Sequence, residues 1–152
     1  MSMAQVTLTR KYRFSASHRL HTPQLDEARN FEVYGKCNNP YGHGHDYVLE
    51  VAIRGVPDAA SGRVVPLRQL DQFVETVVLK AVRHRNLNAD LAEFSSLVPT
   101  TENLAAVLMQ RLAAAWPLHF VETGAGSGVA LEMVRIHETK RNIFEMRVSS
   151  AF

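Results

Sequence analysis

Most of the residues able to do chemistry lie between Tyr34 and Tyr47, a stretch reading Tyr-Gly-Lys-Cys-Asn-Asn-Pro-Tyr-Gly-His-Gly-His-Asp-Tyr. It holds the only cysteine, Cys37, and two of the seven histidines, His43 and His45. Imidazoles two residues apart share one face of a β-strand, with Cα atoms roughly 6–7 Å apart, so both can bind one metal ion. Gly44 between them leaves the opposite face clear, and Gly42 permits a sharp turn into the strand. A zinc ion of the catalytic type takes three protein ligands and keeps a fourth position open. The third ligand must come from elsewhere. His18 is best placed, because it closes the strand-like run Phe14-Ser15-Ala16-Ser17-His18, whereas His21 follows in what reads as loop. A His-x-His pair alone is a weak signal, and a lone cysteine is ordinarily a small buried hydrophobe. The thiol beside the pair, with a second strand ending in histidine, strengthens the reading of a metal site next to a reactive sulfur.

Hydrophobic periodicity supplies the elements that must position these groups. From Gln5 to His18, apolar residues fall at Val6, Leu8, Tyr12, Phe14 and Ala16, a period of two broken only by Arg10, which predicts a strand with His18 in phase. No period survives from Arg19 to Gly42. A loop of that length is either disordered or functional, and Cys37 argues for functional. A second strand, about His45 to Arg54, sets Tyr47, Leu49, Val51 and Ile53 on the face of His45. Gly55 to Gly62 is a turn cluster leading to a short Arg63–Pro66 extension.

Leu67, Leu70, Phe73, Val74, Val77, Val78 and Ala81 recur at three and four, predicting an amphipathic helix from Leu67 to about His84. A second helix runs from about Thr101 to Trp116. Thr100 or Thr101 caps it, Glu102 suits the positive end of its dipole, and Pro117 marks its end. Leu104, Val107, Leu108, Leu112 and Ala115 form its buried stripe. Thr123-Gly124-Ala125-Gly126-Ser127-Gly128 imitates a phosphate cradle, but it neither follows a strand nor opens a helix and reads as a flexible loop. Val129–Glu138 and Asn142–Ser149 alternate as strands around Thr139-Lys140-Arg141, a hairpin. The order ββααββ predicts one α+β domain over residues 1–152, with two helices on one face of a four-stranded antiparallel sheet. Such a sheet has two open edges, which homo-oligomerisation would cover.

Composition excludes several classes. With 46% hydrophobic and 21% charged residues, the 152-residue chain has ordinary globular proportions. A net charge of +2 with mixed signs gives no general basic face for nucleic acid. No apolar run reaches membrane-spanning length, one cysteine excludes an intrachain disulfide, and the N-terminus lacks a signal-peptide core. The cytoplasm is the expected compartment.

Five motifs occur in order along the chain: Phe14-Ser15-Ala16-Ser17-His18; Gly35-Lys36-Cys37-Asn38-Asn39-Pro40 with Gly42-His43-Gly44-His45; His84-Arg85-Asn86-Leu87; Thr100-Thr101-Glu102-Asn103; and Glu138-Thr139. Together they resemble the 6-pyruvoyltetrahydropterin synthase family, which includes the bacterial 6-carboxytetrahydropterin synthases. The resemblance implies the tunnelling fold, in which sheets from three subunits close an oligomeric barrel and two trimers stack as a homohexamer, with active sites between subunits. It also implies a zinc-dependent carbon–oxygen lyase. Its substrate would be 7,8-dihydroneopterin triphosphate, from which triphosphate is eliminated to give 6-pyruvoyltetrahydropterin for tetrahydrobiopterin biosynthesis. Two alternatives stand beside it: a 6-carboxytetrahydropterin synthase of queuosine (deazapurine) biosynthesis, and a pterin-binding paralogue with weakened catalysis.

Residue by residue, the resemblance assigns zinc to His18, His43 and His45 and makes Cys37 the base that removes a carbon-bound proton. The thiolate this needs is favoured by nearby positive charge. His84 would assist it, and Glu138 would anchor the pterin through paired hydrogen bonds. Thr101 and Glu102 match residues of the same pocket. For Glu102 helix capping is an equal reading, and for Thr100 capping is preferred. Lys36, Arg19 and Arg85 are candidates for the triphosphate, although isolated basic residues are more often solvated. One position departs from the pattern: the family has Asp-His where this chain has Arg83-His84. Arginine has no acceptor and stays charged, so it cannot orient the imidazole. Either another acid, such as Asp90 or Glu93, takes over or the relay is weakened. The spacing of Cys37 to His43 resembles the pyruvoyl-type enzymes.

Overall fold

The computed structural model describes residues 4–120 and 128–149. Two long strands form its spine, β1 (Val6–His18) and β2 (His43–Gly55), paired antiparallel from Val6 opposite Gly55 to His18 opposite His43. β4 (Ala130–His137) pairs with β2, and β5 (Ile143–Arg147) pairs with β4, both antiparallel. Strand alternation sorts the two faces. Phe14, Ala16, Tyr47, Leu49, Val51, Ile53, Val134 and Ile136 are buried against the helices. The other face is charged: Lys11 on β1, Glu50 on β2, Arg135 on β4 and Glu145 on β5 lie opposite one another in a single row of alternating sign.

With β3 (Arg85–Asn86) beyond β1, the sheet has five strands in the order β3-β1-β2-β4-β5 and is mixed, which corrects the expected four-stranded antiparallel sheet. The extra strand is β3, parallel to Ala16 and Ser17 of β1. Two residues are too few to show a period. What turns the chain onto the β1 edge is His84, whose φ of 56° is the only positive value at a non-glycine among the described residues. Its N–H donates to the Ser15 carbonyl at 2.7 Å.

The segment read as loop contains helix α1 (Glu27–Tyr34) and a 3-10 turn at Gly35–Asn38. Asp26 caps α1 by accepting from the Arg29 N–H. Within α1 only Asn30 is buried, and Phe31 and Val33 are exposed, so no apolar stripe was there to be read. The first long helix is composite. It runs as α2 (Leu67–Val74), a π-helical turn (Glu75–Leu79) and α3 (Lys80–Val82), with Arg83 already extended. A short α4 (Leu87–Asp90) and a 3-10 turn (Ala92–Ser95) follow, neither long enough for a pattern.

Helix α5 spans Thr101–His119 and passes through Pro117 instead of stopping before it. The proline stands in the last turn, where it forfeits a single amide bond, and Phe120 N–H closes the helix on the Trp116 carbonyl. Leu104, Val107, Leu108 and Leu112 are buried as expected, and Ala115 packs at the margin of the core. Apart from Gly128, the glycine-rich segment from Thr123 lies outside the described residues. Among the described residues no helix is long and apolar enough to cross a membrane.

Candidate metal centre and adjoining pocket

The register of β1 and β2 assembles the histidines. His18 faces His43 across the ladder, and His45 faces Ala16, so all three imidazoles project from the core-facing side at one end of the sheet. Gly42 is required for this approach: its φ is 72°, and a Cβ there would lie 2.9 Å from the His18 carbonyl oxygen. Nε2 of His43 lies 3.1 Å from Nε2 of His18 and 3.0 Å from Nε2 of His45. Ligands of a tetrahedral ion at about 2.0–2.1 Å are separated by about 3.3 Å, so three converging Nε2 atoms fit such an ion. His18, the expected third ligand, belongs to this cluster. His21 instead meets the Asn38 side-chain amide through Nδ1.

The fully buried His18 is oriented by its Nδ1, 2.8 Å from the Pro99 carbonyl. A carbonyl only accepts, so Nδ1 carries the proton and Nε2 keeps its lone pair for a metal. Burial lowers the pKa of His18, with the Pro99 contact opposing, and burial and then His45 lower that of His43. Both directions favour the neutral, ligating form. No sequence signal identifies Pro99, because only its backbone takes part.

Glu138 sits on the rim of this cluster, with Oε1 3.3 Å from Nε2 of His45 and 4.0 Å from Nε2 of His18. Its position follows from the β4–β5 hairpin, where its N–H donates to the Asn142 carbonyl. Cys37 is partly buried beside them. Burial pushes its thiol pKa up, and the Glu138 charge adds to that. The loop is stitched to the end of β1: Leu20 N–H donates to the Cys37 carbonyl at 2.8 Å, the Asn38 amide to Leu20, and Arg19 Nε to Asn38. Thr100 caps α5 through the Asn103 N–H, which frees Thr101 to turn inward, where it is 2% exposed. The hydroxyls of Thr101 and Tyr47 are both buried without a hydrogen-bond partner. Burial, then the Glu138 charge, raises the Tyr47 pKa and keeps that phenol neutral. Tyr47 was legible only as a core residue.

Other expected site residues lie apart. Lys36 and Glu102 are exposed and outside the histidine cluster. His84 lines two cavities with Ser15 and Asp46 of the charged face, one of which also includes His45 and the other Tyr47, and Cys37 lines neither. Glu93, one candidate acid for His84, is held in a bidentate pair by Arg111 at 2.7 and 2.8 Å. Asp90 lines the larger cavity with His84 but accepts from the Asn86 N–H.

Fold and site together define a small α+β protein with three converging imidazoles, able to hold a metal ion, at the end of its central strand pair. The chain belongs to the 6-pyruvoyl tetrahydropterin synthase family, whose model matches residues 7–149. It is 43% identical over 140 residues to the 6-pyruvoyl tetrahydrobiopterin synthase of Drosophila melanogaster, covering 92% of this chain and 78% of that protein. The Homo sapiens 6-pyruvoyl tetrahydrobiopterin synthase is 37% identical over 139 residues, covering 91% and 89%. The structure of Caenorhabditis elegans 6-pyruvoyl tetrahydropterin synthase superposes with a TM-score of 0.85 at 40% identity, over 98% of this chain and 99% of that one.

Proposed function

We propose that this chain is a zinc-dependent lyase that converts 7,8-dihydroneopterin triphosphate to 6-pyruvoyltetrahydropterin with elimination of triphosphate. The observation that carries the reading is the convergence of His18, His43 and His45 through Nε2, with Glu138 and Cys37 beside them. Family membership and the pyruvoyl names of the relatives support the same product. Zinc held by the three imidazoles would supply Lewis acidity toward the substrate's side-chain oxygens. Glu138 accepts hydrogen bonds from the pterin's amino and ring N–H groups, fixing its orientation. The buried hydroxyls of Tyr47 and Thr101 are further polar partners for that ring. Cys37, as thiolate, takes the carbon-bound proton, and His84 serves as the partner acid–base group.

Because His84 and Cys37 share neither a hydrogen bond nor the cavities that His84 lines among the described residues, the reading calls for a second copy to complete each site. Two features support oligomerisation as a tunnelling-fold hexamer. β3 covers β1 only at Ala16 and Ser17, leaving the remainder of β1 as a sheet edge opposite β5. Those edges end the charged row in Lys11 and Glu145, opposite signs at one level, which favours pairing between copies. Light scattering at micromolar concentration should give six copies, and a monomer would count against shared sites.

Incubation of zinc-loaded protein with 7,8-dihydroneopterin triphosphate, followed by mass identification, tests the activity. The expected products are 6-pyruvoyltetrahydropterin and triphosphate. A carboxypterin with a two-carbon aldehyde would make the chain a carboxy-type synthase. Tight pterin binding without consumption would make it a binding paralogue.

A further inference from the structure

His84 is held under backbone constraint on the charged face of the sheet, between α3 and β3. A histidine at φ 56° is a sparsely populated conformation that persists only when its surroundings hold it. Here the hold is its N–H on the Ser15 carbonyl at 2.7 Å. Neither ring nitrogen of His84 has a hydrogen-bond partner among the described residues, so the imidazole is placed by its backbone but not yet by its ring.

The nearby carboxylates differ in how they are engaged. Glu75 is taken by Arg83, Glu93 by Arg111, and Asp90 accepts from the Asn86 N–H. Asp46 is different. It faces Ser15 across the β1–β2 ladder and accepts the Ser15 hydroxyl through Oδ1, which leaves Oδ2 without a partner among the described residues. Ser15 therefore touches both groups, His84 through its carbonyl and Asp46 through its hydroxyl. Asp46 and His84 also line the same two cavities, of about 600 Å³ and about 290 Å³, and the smaller one includes Arg83.

We propose that Asp46 is the positioning carboxylate of His84, fixed by Ser15 and replacing the acid that Arg83 cannot be. With one ring N–H donating to Asp46, the other nitrogen of His84 carries the lone pair toward the reacting group. When that nitrogen takes a proton, the hydrogen bond to Asp46 keeps the ring in the same orientation. The inference rests on the lyase reading with His84 as a proton-transfer group.

The test is a mutant cycle on zinc-loaded protein with 7,8-dihydroneopterin triphosphate, using Asp46→Asn, His84→Gln and the double variant. Asparagine still accepts the Ser15 hydroxyl, so the ladder is kept. Asp46→Asn should lower kcat roughly tenfold or more, part of the 10²–10⁴-fold typical of acid–base groups. KM and zinc content should hold, and the loss should vanish in the His84→Gln background. Asp46→Glu should recover part of the rate, as should Arg83→Asp combined with Asp46→Asn. An unchanged kcat in Asp46→Asn alongside an impaired His84→Gln overturns the proposal and leaves the lyase reading standing, as does additivity in the double variant. Zinc loss in Asp46→Asn also overturns it, by moving the effect to the neighbouring His45. Full turnover in His84→Gln would instead remove the role of His84 and this proposal with it.

Discussion

The guanidinium of Arg83 lies along the carboxylate of Glu75, with NH1 and NH2 at 2.7 and 2.9 Å from its two oxygens. Each partner holds the other charged: hydrogen bonding from Arg83 lowers the Glu75 pKa, with burial opposing, and Glu75 raises that of Arg83. From sequence alone, slow turnover is expected, with Arg83→Asp raising it at least about tenfold and weakening triphosphate binding. With the guanidinium committed to Glu75 and Asp46 in the cavity of His84, Arg83→Asp in the otherwise native chain should change kcat by less than about tenfold. It should also lower thermal stability, because the introduced carboxylate would face Glu75 with like charge. A larger rise in kcat would mean that native His84 lacks a carboxylate and would count against Asp46.

Single alanine substitutions at His18, His43 or His45 should each reduce bound zinc measured by mass spectrometry of metals. The drop in affinity should exceed the roughly 10–100-fold typical of an outer-sphere partner, since each removes a direct ligand. His21→Ala should retain full occupancy.

Cys37→Ala should keep zinc and pterin binding while abolishing turnover, because three imidazoles suffice for the ion and the thiol's task is the proton. Zinc loss would make the sulfur a ligand.

Glu138→Gln should weaken pterin binding, measured by fluorescence titration, because an amide oxygen cannot accept both paired bonds as a carboxylate does. Metal content is expected to hold. Since Oε1 stands 3.3 Å from Nε2 of His45, a fall in zinc together with unchanged pterin affinity would reassign the carboxylate to the metal.

Glu93→Gln should leave turnover unchanged and lower stability. Hydrogen bonding from Arg111 depresses the Glu93 pKa, with burial opposing. A depressed carboxylate contributes stability fully above its unfolded value of about 4.3 and loses it as pH falls through the folded value. Both side chains are 30% exposed, so solvent screening keeps the loss at pH 7 to about 0.5–1 kcal/mol. Urea midpoints of the two proteins should converge as pH falls through the depressed folded value. A constant gap down to acid pH would assign the loss to packing.

Chain order and residue type determined a good deal. Alternation from Val6 to His18 and from Tyr47 to Ile53 fixed two strands, since a buried face enforces a period of two whatever the partner. The three histidines were readable because two share a strand face and the third ends a strand in phase. The threes and fours of Leu70, Phe73, Val74 and Leu104, Leu108, Leu112 marked helical stripes, buried as the pattern required. Elements without a buried face were invisible: α1 exposes Phe31 and Val33, and β3 is a two-residue strand fixed by one backbone turn at His84.

Tertiary structure decided what depends on register and on backbone atoms. The pairing of His18 with His43 brings the Nε2 atoms together, and the carbonyl of Pro99, 81 residues away, selects the tautomer of His18. Which carboxylates are free is equally a matter of three dimensions. Glu93 is near His84 in sequence yet is taken by Arg111 of α5, and Asp90 lines only the larger cavity of His84, while Asp46 lines both because strand pairing sets it opposite Ser15. Sequence lists the ionisable groups, but a hydrogen bond is short and directional, so only folded geometry assigns each to its partner.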